Sequence, residues 1–199
     1  MSETAGAGPM DIDDEKAGLR KLLREKRKSA RAAQPDASEG LSAHLASVPL
    51  PDIGTVAGYV AHGSEIDPLP AMRGLAARGF GLCLPVVVAP GRPLEFRGWA
   101  EGLALEAGEF DIPVPAAGAE ILPDVVLVPL VGFDRSGGRL GQGGGYYDRT
   151  LPRLRAAKPH FIAIGLAFSV QEVASVPRAA NDAALDWIVT ERETIGIRP

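Results

Sequence analysis

The sequence predicts a single three-layer α/β domain, with a mostly parallel or mixed central sheet flanked by helices. Three observations carry that expectation. Short, continuous apolar runs at Val125–Pro129, Phe161–Leu166 and Trp187–Val189 read as strands covered on both faces. Segments of helical composition alternate with such runs, as layered α/β sheets require. The 199 residues suit one domain with a substantial core, and neither internal repeats nor a second domain is visible.

The elements follow in order. Residues 1–12 are small and acidic and read as a flexible tail, leaving 13–199 as the domain. From Asp13 or Asp14 to Ala33 the chain turns rich in Lys, Arg, Leu and Ala, and Asp13, Asp14 and Glu15 suit a helix N-terminus. Pro35 ends that helix, and Asp36 with Glu39 resembles a capping box for a second. Thr55–Val60 reads as the first strand. Asp67 and Pro68 open a third helix, which Gly79 stops. An apolar run from Phe80 to Val88 is interrupted by Pro85, and short strands are expected around Leu94–Arg97. Tyr146–Ala157 is helical in composition, yet Pro152 should delay or kink it, at about 3 kcal/mol for an interior proline.

Composition bounds the function. An apolar share of 46% and a charged share of 23% belong to an ordinary globular chain, and a net charge of -4 argues against nucleic acid or acidic membrane as partner. The single cysteine, Cys83, rules out a disulfide framework and lies in an apolar run, where a buried thiol is expected. Met1–Asp13 lacks the basic and apolar regions of a signal peptide, and the apolar runs are far shorter than the ~20 residues a bilayer needs. The expected location is cytoplasmic. His44, His62 and His160 lack metal-ligand spacing.

Chemistry concentrates in one segment. After the strand Val125–Pro129 the chain reads Arg139-Leu140-Gly141-Gln142-Gly143-Gly144-Gly145-Tyr146-Tyr147-Asp148-Arg149, a loop entering a helix. Ligands of open α/β sheets bind at the carboxyl ends of strands, where such loops lie. Glycines let backbone N–H groups converge on an anion, and the helix N-terminus adds donors and dipole. Arg139 supplies a fork suited to phosphate oxygens. The segment lacks the Gly-Lys-Ser/Thr of a Walker loop, and its glycines are too crowded for a dinucleotide fingerprint. A flexible surface turn is the plain alternative.

Those eleven residues closely resemble the signature of the 5-formyltetrahydrofolate cyclo-ligase family. The resemblance extends to Val128-Pro129, Phe133-Asp134, Gly165-Leu166-Ala167-Phe168-Ser169, Val176-Pro177, Asn181-Asp182, Asp186, Lys16 and Arg20, and so spans nearly the whole domain. It implies a ligase that uses ATP and Mg²⁺ to convert 5-formyltetrahydrofolate to 5,10-methenyltetrahydrofolate, without a protein nucleophile. It also implies residue roles. Lys16, Arg20 and the loop Arg139, Leu140, Gly141, Gln142, Gly143, Gly144, Gly145, Tyr146 and Tyr147 would hold ATP. Val60, Glu65, Phe110 and the Gln142–Tyr146 part of the loop would meet the folate, with Glu65 on the pterin. Asp148 and Asp182 would hold Mg²⁺, while Asp186 is read as structural. The expected partners are ATP and the folate alone, and the chain is taken as a monomer.

Without the resemblance, several residues have plainer readings. Lys16 and Arg20 share one helix face with Lys21, Arg24, Lys26 and Arg27 nearby, and such charge runs usually face solvent. Only Lys16 and Arg20 are assigned to the site. Asp148 could serve as a first-turn helix acid, and Val60 and Phe110 as core. Gln142 and Gly144 depart from family members that carry aromatic or basic residues there. Two other functions compete: an α/β protein binding nucleotides or phosphosugars without folate activity, and an arm on Lys16–Arg31 docking RNA or protein.

Overall fold

The computed structural model describes residues 11–197. Residues 1–10 of the expected tail lie outside them, and the first helix begins at Ile12, slightly ahead of the expected Asp13 or Asp14. Helix α1 (Ile12–Ala33) is capped by Asp11, whose carboxylate accepts the Asp13 N–H at 3.3 Å, and its first turn carries Asp13, Asp14 and Glu15. Then follow α2 (Ala37–Leu45), β1 (Thr55–Ala57), α3 (Leu69–Ala77), β2 (Gly81–Val86) and β3 (Glu95–Trp99). A small ribbon, β4 (Leu105–Ala107) with β5 (Pro113–Pro115), precedes β6 (Val125–Pro129). A second ribbon, β7 (Gly132–Phe133) with β8 (Arg139–Leu140), leads to α4 (Tyr146–Ala157), β9 (Ile162–Leu166), β10 (Trp187–Val189) and β11 (Thr194–Gly196).

Seven strands form the main sheet in the order β11-β10-β9-β6-β1-β2-β3. The strands from β10 to β2 run parallel, and β3 and β11 close the two edges antiparallel. Alternation along β6 sorts its residues between two cores. Val125 and Leu127 pack with Leu41, Leu45, Met72 and Leu75 of α2 and α3. Val126 and Val128 pack with Leu151 and Leu154 of α4 on the opposite face. These are the three expected layers. Leu23 of α1 is fully buried in a smaller cluster with Val131, Leu140 and Val176, which fastens α1 across the strand ends. No helix among the described residues is long and apolar enough to cross a membrane.

Several local expectations are corrected. The first strand ends at Ala57 rather than Val60: Gly58 N–H makes the last bond to β2, at the Cys83 carbonyl, and Tyr59 then bonds Ile66 through its hydroxyl. Gly58 is also pinned by packing, since a Cβ there would lie 2.2 Å from the Met72 sulfur. Asp36 precedes α2 but makes no side-chain capping bond, so the capping box is not formed. Strand β2 runs through Pro85, which lies beyond the register with β1 that ends at Cys83. Helix α4 starts at Tyr146 and continues through Pro152 to Ala157. The proline is exposed, and it removes the N–H that would have bonded the Asp148 carbonyl.

The turn before β8 is organised by one carboxylate. Asp134 is 2% exposed; its Oδ1 accepts Ser136 N–H, Ser136 Oγ–H, Gly138 N–H and an Arg178 N–H, and its Oδ2 accepts Val176 N–H at 2.8 Å. Burial pushes this carboxyl up, but the Ser136, Val176 and Gly138 donors outweigh it and hold the group down at about 2. A carboxylate depressed in the folded state contributes stability above its unfolded value of about 3.9, and that contribution is lost as pH falls towards 2. Asp134→Ala should therefore lower stability by about 2–4 kcal/mol at pH 7, and by less at pH 2.5, in denaturant titrations. Pro152→Ala should raise it by about 1–2 kcal/mol, because the regained helix bond outweighs the lost chain stiffness.

Candidate active site

The main sheet changes direction between β6 and β1. From β1 the chain moves outward to β2 and β3, and it returns on the other side through β6, β9 and β10. Ligands bind at such switch points, beyond the carboxyl ends of the strands. A cavity of about 900 Å³ opens there, reached by Tyr59 and Val60 after β1 and by Pro129 at the end of β6. Helix α1, residues 62–65, residues 109–114, the loop 139–148 and residues 179–182 complete its wall.

The glycine-rich loop connects β8 to α4, and its glycines have distinct tasks. Gly143 (φ +109°) and Gly145 (φ +65°) adopt left-handed backbone that L side chains rarely take. Gly145 is the N-cap of α4, so the last loop residue aims the N–H groups of the first helical turn at the cavity. Leu140 points its side chain into the core, leaving only its backbone to the site. The loop is closed from both sides. Arg20 Nε donates to Gly141 O at 2.9 Å from α1, and Arg149 Nη2 donates to Gly144 O at 2.7 Å from α4.

Helix α1 brings a row of cations to the cavity at successive turns: Lys16, Arg20, Arg24 and Arg27. Lys16 and Arg27 are only 7% and 5% exposed, and both are paired. Lys16 Nζ lies 2.6 Å from Asp182 Oδ2, while Arg27 donates to Ser64 Oγ at 3.0 Å and sits 3.7 Å from Glu65. Arg24 bonds Gln142 Oε1 at 2.8 Å. The reading of Arg27 as part of a solvated face is therefore corrected, whereas Arg24 is exposed as expected and still bonds the loop. Their spacing from Lys16 (i, i+8, i+11) was the available signal; the partners they meet lie 37 to 118 residues away in the chain.

Arg139 and Asp148 form the centre of the charged wall. Arg139 is 7% exposed, donates to Asp148 Oδ1 in a very short contact, and donates through Nε to Ala183 O at 2.8 Å. Ala183 N–H returns a bond to Asp148 Oδ1 at 3.1 Å, so Asp148 and the neighbour of Asp182 share one node. Burial lowers the Arg139 guanidinium, and the charges of Asp148 and Asp182 oppose that, so it stays cationic. For Asp182, burial pushes up, but the Lys16 and Ala179 donors win and hold the carboxyl below its ordinary range. Asp148 and Asp182 both line the cavity. Asp186 stands apart as expected, accepting Ala163 N–H at 2.7 Å and pairing with Arg155.

Glu65 is buried at the opposite wall, accepting His62 N–H at 3.0 Å and the Gln142 side-chain amide at 3.1 Å. Val60 is half-buried in the same wall. Phe110 is not core: it is 60% exposed at the rim, edge-on to Tyr146 with ring centroids 6.1 Å apart. Among the described residues, Phe110 and Asp111 are the two non-glycine residues with positive φ, at +59° and +58°, a strained pair at the cavity mouth. Arg149, given no role from sequence, stacks 5.3 Å from the Tyr146 ring. The fold thus brings every sequence-derived candidate to one cavity or its loop.

A family model described as the 5-formyltetrahydrofolate cyclo-ligase family matches residues 12–191. The 5-formyltetrahydrofolate cyclo-ligase of Mycolicibacterium smegmatis is 32% identical over 183 residues, covering 87% of this chain and 92% of the relative. That of Escherichia coli K12 is 30% identical over 181 residues, covering 85% and 96%. Among solved structures, the 5,10-methenyltetrahydrofolate synthetase of Aquifex aeolicus superposes with a TM-score of 0.78 at 31% identity, covering 92% of this chain and 93% of that one. With a match over most of its length, and the loop, basic helix and acidic pair gathered at one switch point, the chain belongs to the 5-formyltetrahydrofolate cyclo-ligase family and is a ligase.

Proposed function

We propose that the chain converts 5-formyltetrahydrofolate to 5,10-methenyltetrahydrofolate, consuming ATP with Mg²⁺ and releasing ADP and phosphate. The single observation that carries this is the union, in one cavity, of a phosphate-type loop at a helix N-terminus with a buried carboxylate opposite. The loop and the cations of α1 match a polyphosphate. Glu65 matches the paired N–H donors of a pterin edge. The space of about 900 Å³ suits two substantial ligands lying against each other.

The reaction needs placement and charge control more than a nucleophile of the protein. The formyl oxygen attacks the γ-phosphorus as the bond to ADP breaks, giving an activated N5-methylidene phosphate. N10 then adds to that carbon and loses its proton, and the C–O bond breaks to release phosphate and close the ring. Arg139 and Lys16 offset negative charge on the transferred group, and the N-terminal N–H groups of α4 orient it. Val60, Phe110 and Tyr146 flank the folate rings and keep water from the activated carbon.

The carboxylates also fit the metal. Mg²⁺ takes one or two carboxylates, with phosphate oxygens and water completing its shell. Asp148 and Asp182 are such hard donors on the phosphate side of the cavity, and no cluster of three His, Cys, Asp or Glu residues fit for a metal occurs among the described residues. That donor set suits an ion arriving with the nucleotide. When bound, it would neutralise charge on the β- and γ-phosphates. The same reading takes the enzyme as a cytoplasmic monomer whose partners are its two substrates and not nucleic acid.

Purified protein supplied with ATP, Mg²⁺ and 5-formyltetrahydrofolate should generate the near-ultraviolet absorbance of the methenyl product. Normal ATP binding without product would favour a nucleotide-binding protein lacking folate activity. Asp148→Asn should cut metal-dependent turnover about 100-fold or more while costing only about 1–2 kcal/mol of stability, because the amide still accepts Ala183 N–H. Unchanged activity would remove Asp148 from the site.

A further inference from the structure

Gln142 has an exposed side chain in a loop assigned to the nucleotide, yet that side chain turns away towards Glu65. Its amide has two unlike ends, an oxygen that only accepts and a nitrogen that only donates. Arg24, a donor without acceptor capacity, reaches Oε1 with Nη2 at 2.8 Å and with Nε at 3.2 Å. The Glu65 carboxyl accepts from Nε2 at 3.1 Å through its Oε1. Each neighbour tolerates only one end of the amide, so the bridge is polarised and cannot flip. Arg24 Nη2 also lies 3.3 Å from the Gln142 carbonyl, which ties backbone and side chain to the same guanidinium.

Glu65 is thereby fixed from three directions. Its Oε2 accepts His62 N–H at 3.0 Å, its Oε1 accepts Gln142, and Arg27 stands 3.7 Å away. A carboxylate that must accept two parallel donors from a planar ligand loses affinity if it swings, and pre-orientation removes that cost. The backbone of Gln142 remains available to the nucleotide loop while its side chain serves the other half of the cavity.

We propose that Arg24 and Gln142 are specificity-determining positioning residues that act through Glu65 to recognise the aminopyrimidine edge of the folate, a deduction that rests on the function proposed above. The Arg24–Gln142–Glu65 chain determines affinity for the pterin, not for ATP.

Steady-state kinetics and calorimetric ligand binding on four proteins test this: unaltered enzyme, Gln142→Glu, Arg24→Ala and Arg24→Lys. Gln142→Glu keeps the shape and the Arg24 contact but presents an acceptor to Glu65. It should raise KM and Kd for 5-formyltetrahydrofolate about tenfold or more, with KM for ATP changed less than about twofold. Arg24→Ala, at an exposed position outside the core, should raise the folate KM several-fold, and Arg24→Lys should recover part of it. An unchanged folate KM in Gln142→Glu, or equal losses for both substrates, would overturn the positioning role while leaving the cyclo-ligase reading intact. Unaltered enzyme that binds ATP but no folate would overturn both.

Discussion

A guanidinium buried to 7% exposure is tolerable only if its hydrogen bonds are met, and the way Arg139 meets them organises the site. Its position is set by a two-residue strand, β8, that pairs with β7 and packs Leu140 beneath it. From there it reaches Asp148 in the first turn of α4 and the carbonyl of Ala183 in the segment before β10. Three parts of the chain that share no strand are thus held in register by one cation. The loop between Leu140 and Tyr146 has its two ends fixed by that arrangement, so its glycines can adopt left-handed backbone without the loop becoming slack.

The charges around Arg139 divide into two circuits. On one side, Lys16–Asp182 and Arg139–Asp148 pair across the cavity wall. On the other side, Arg27, Arg24, Gln142 and Glu65 form a connected set. Helix α1 contributes cations to both, which explains why it is long, capped and pinned by Leu23 rather than loosely attached. Such pairs contribute little net stability, since desolvation offsets attraction. Their effect is to hold charge in place before any ligand arrives.

Much of the fold was legible because burial on both faces leaves a direct mark. Val125–Pro129 and Trp187–Val189 match β6 and β10, and Ile162–Leu166 differs from its expected run by one residue. The short ribbons β4–β5 and β7–β8 and the edge strand β11 were not expected. Each has two or three residues, too few for periodicity, and exists only because a distant partner supplies its hydrogen bonds. Within the site, the glycine loop is continuous in sequence and could be recognised there. The partners of Arg24, Arg27 and Arg149 could not, since a basic helix face looks the same whatever lies opposite. Asp36 shows the converse: a capping pattern was present in sequence, but the side-chain bond was not made.

The two antiparallel edges bear on how the protein behaves in a crowded solution. An open strand edge offers unpaired amides to any passing chain and invites aggregation. Strand β11 is only three residues long, which gives a foreign strand little to pair with. Strand β3 is longer, but Ile121 N–H bonds the Phe96 carbonyl at 2.8 Å and Glu120 bridges to Arg97, so an ordinary connecting segment covers the edge. The residues between β5 and β6, which also reach α4 through the Glu120–Arg153 ion pair, thereby act as a guard against self-association.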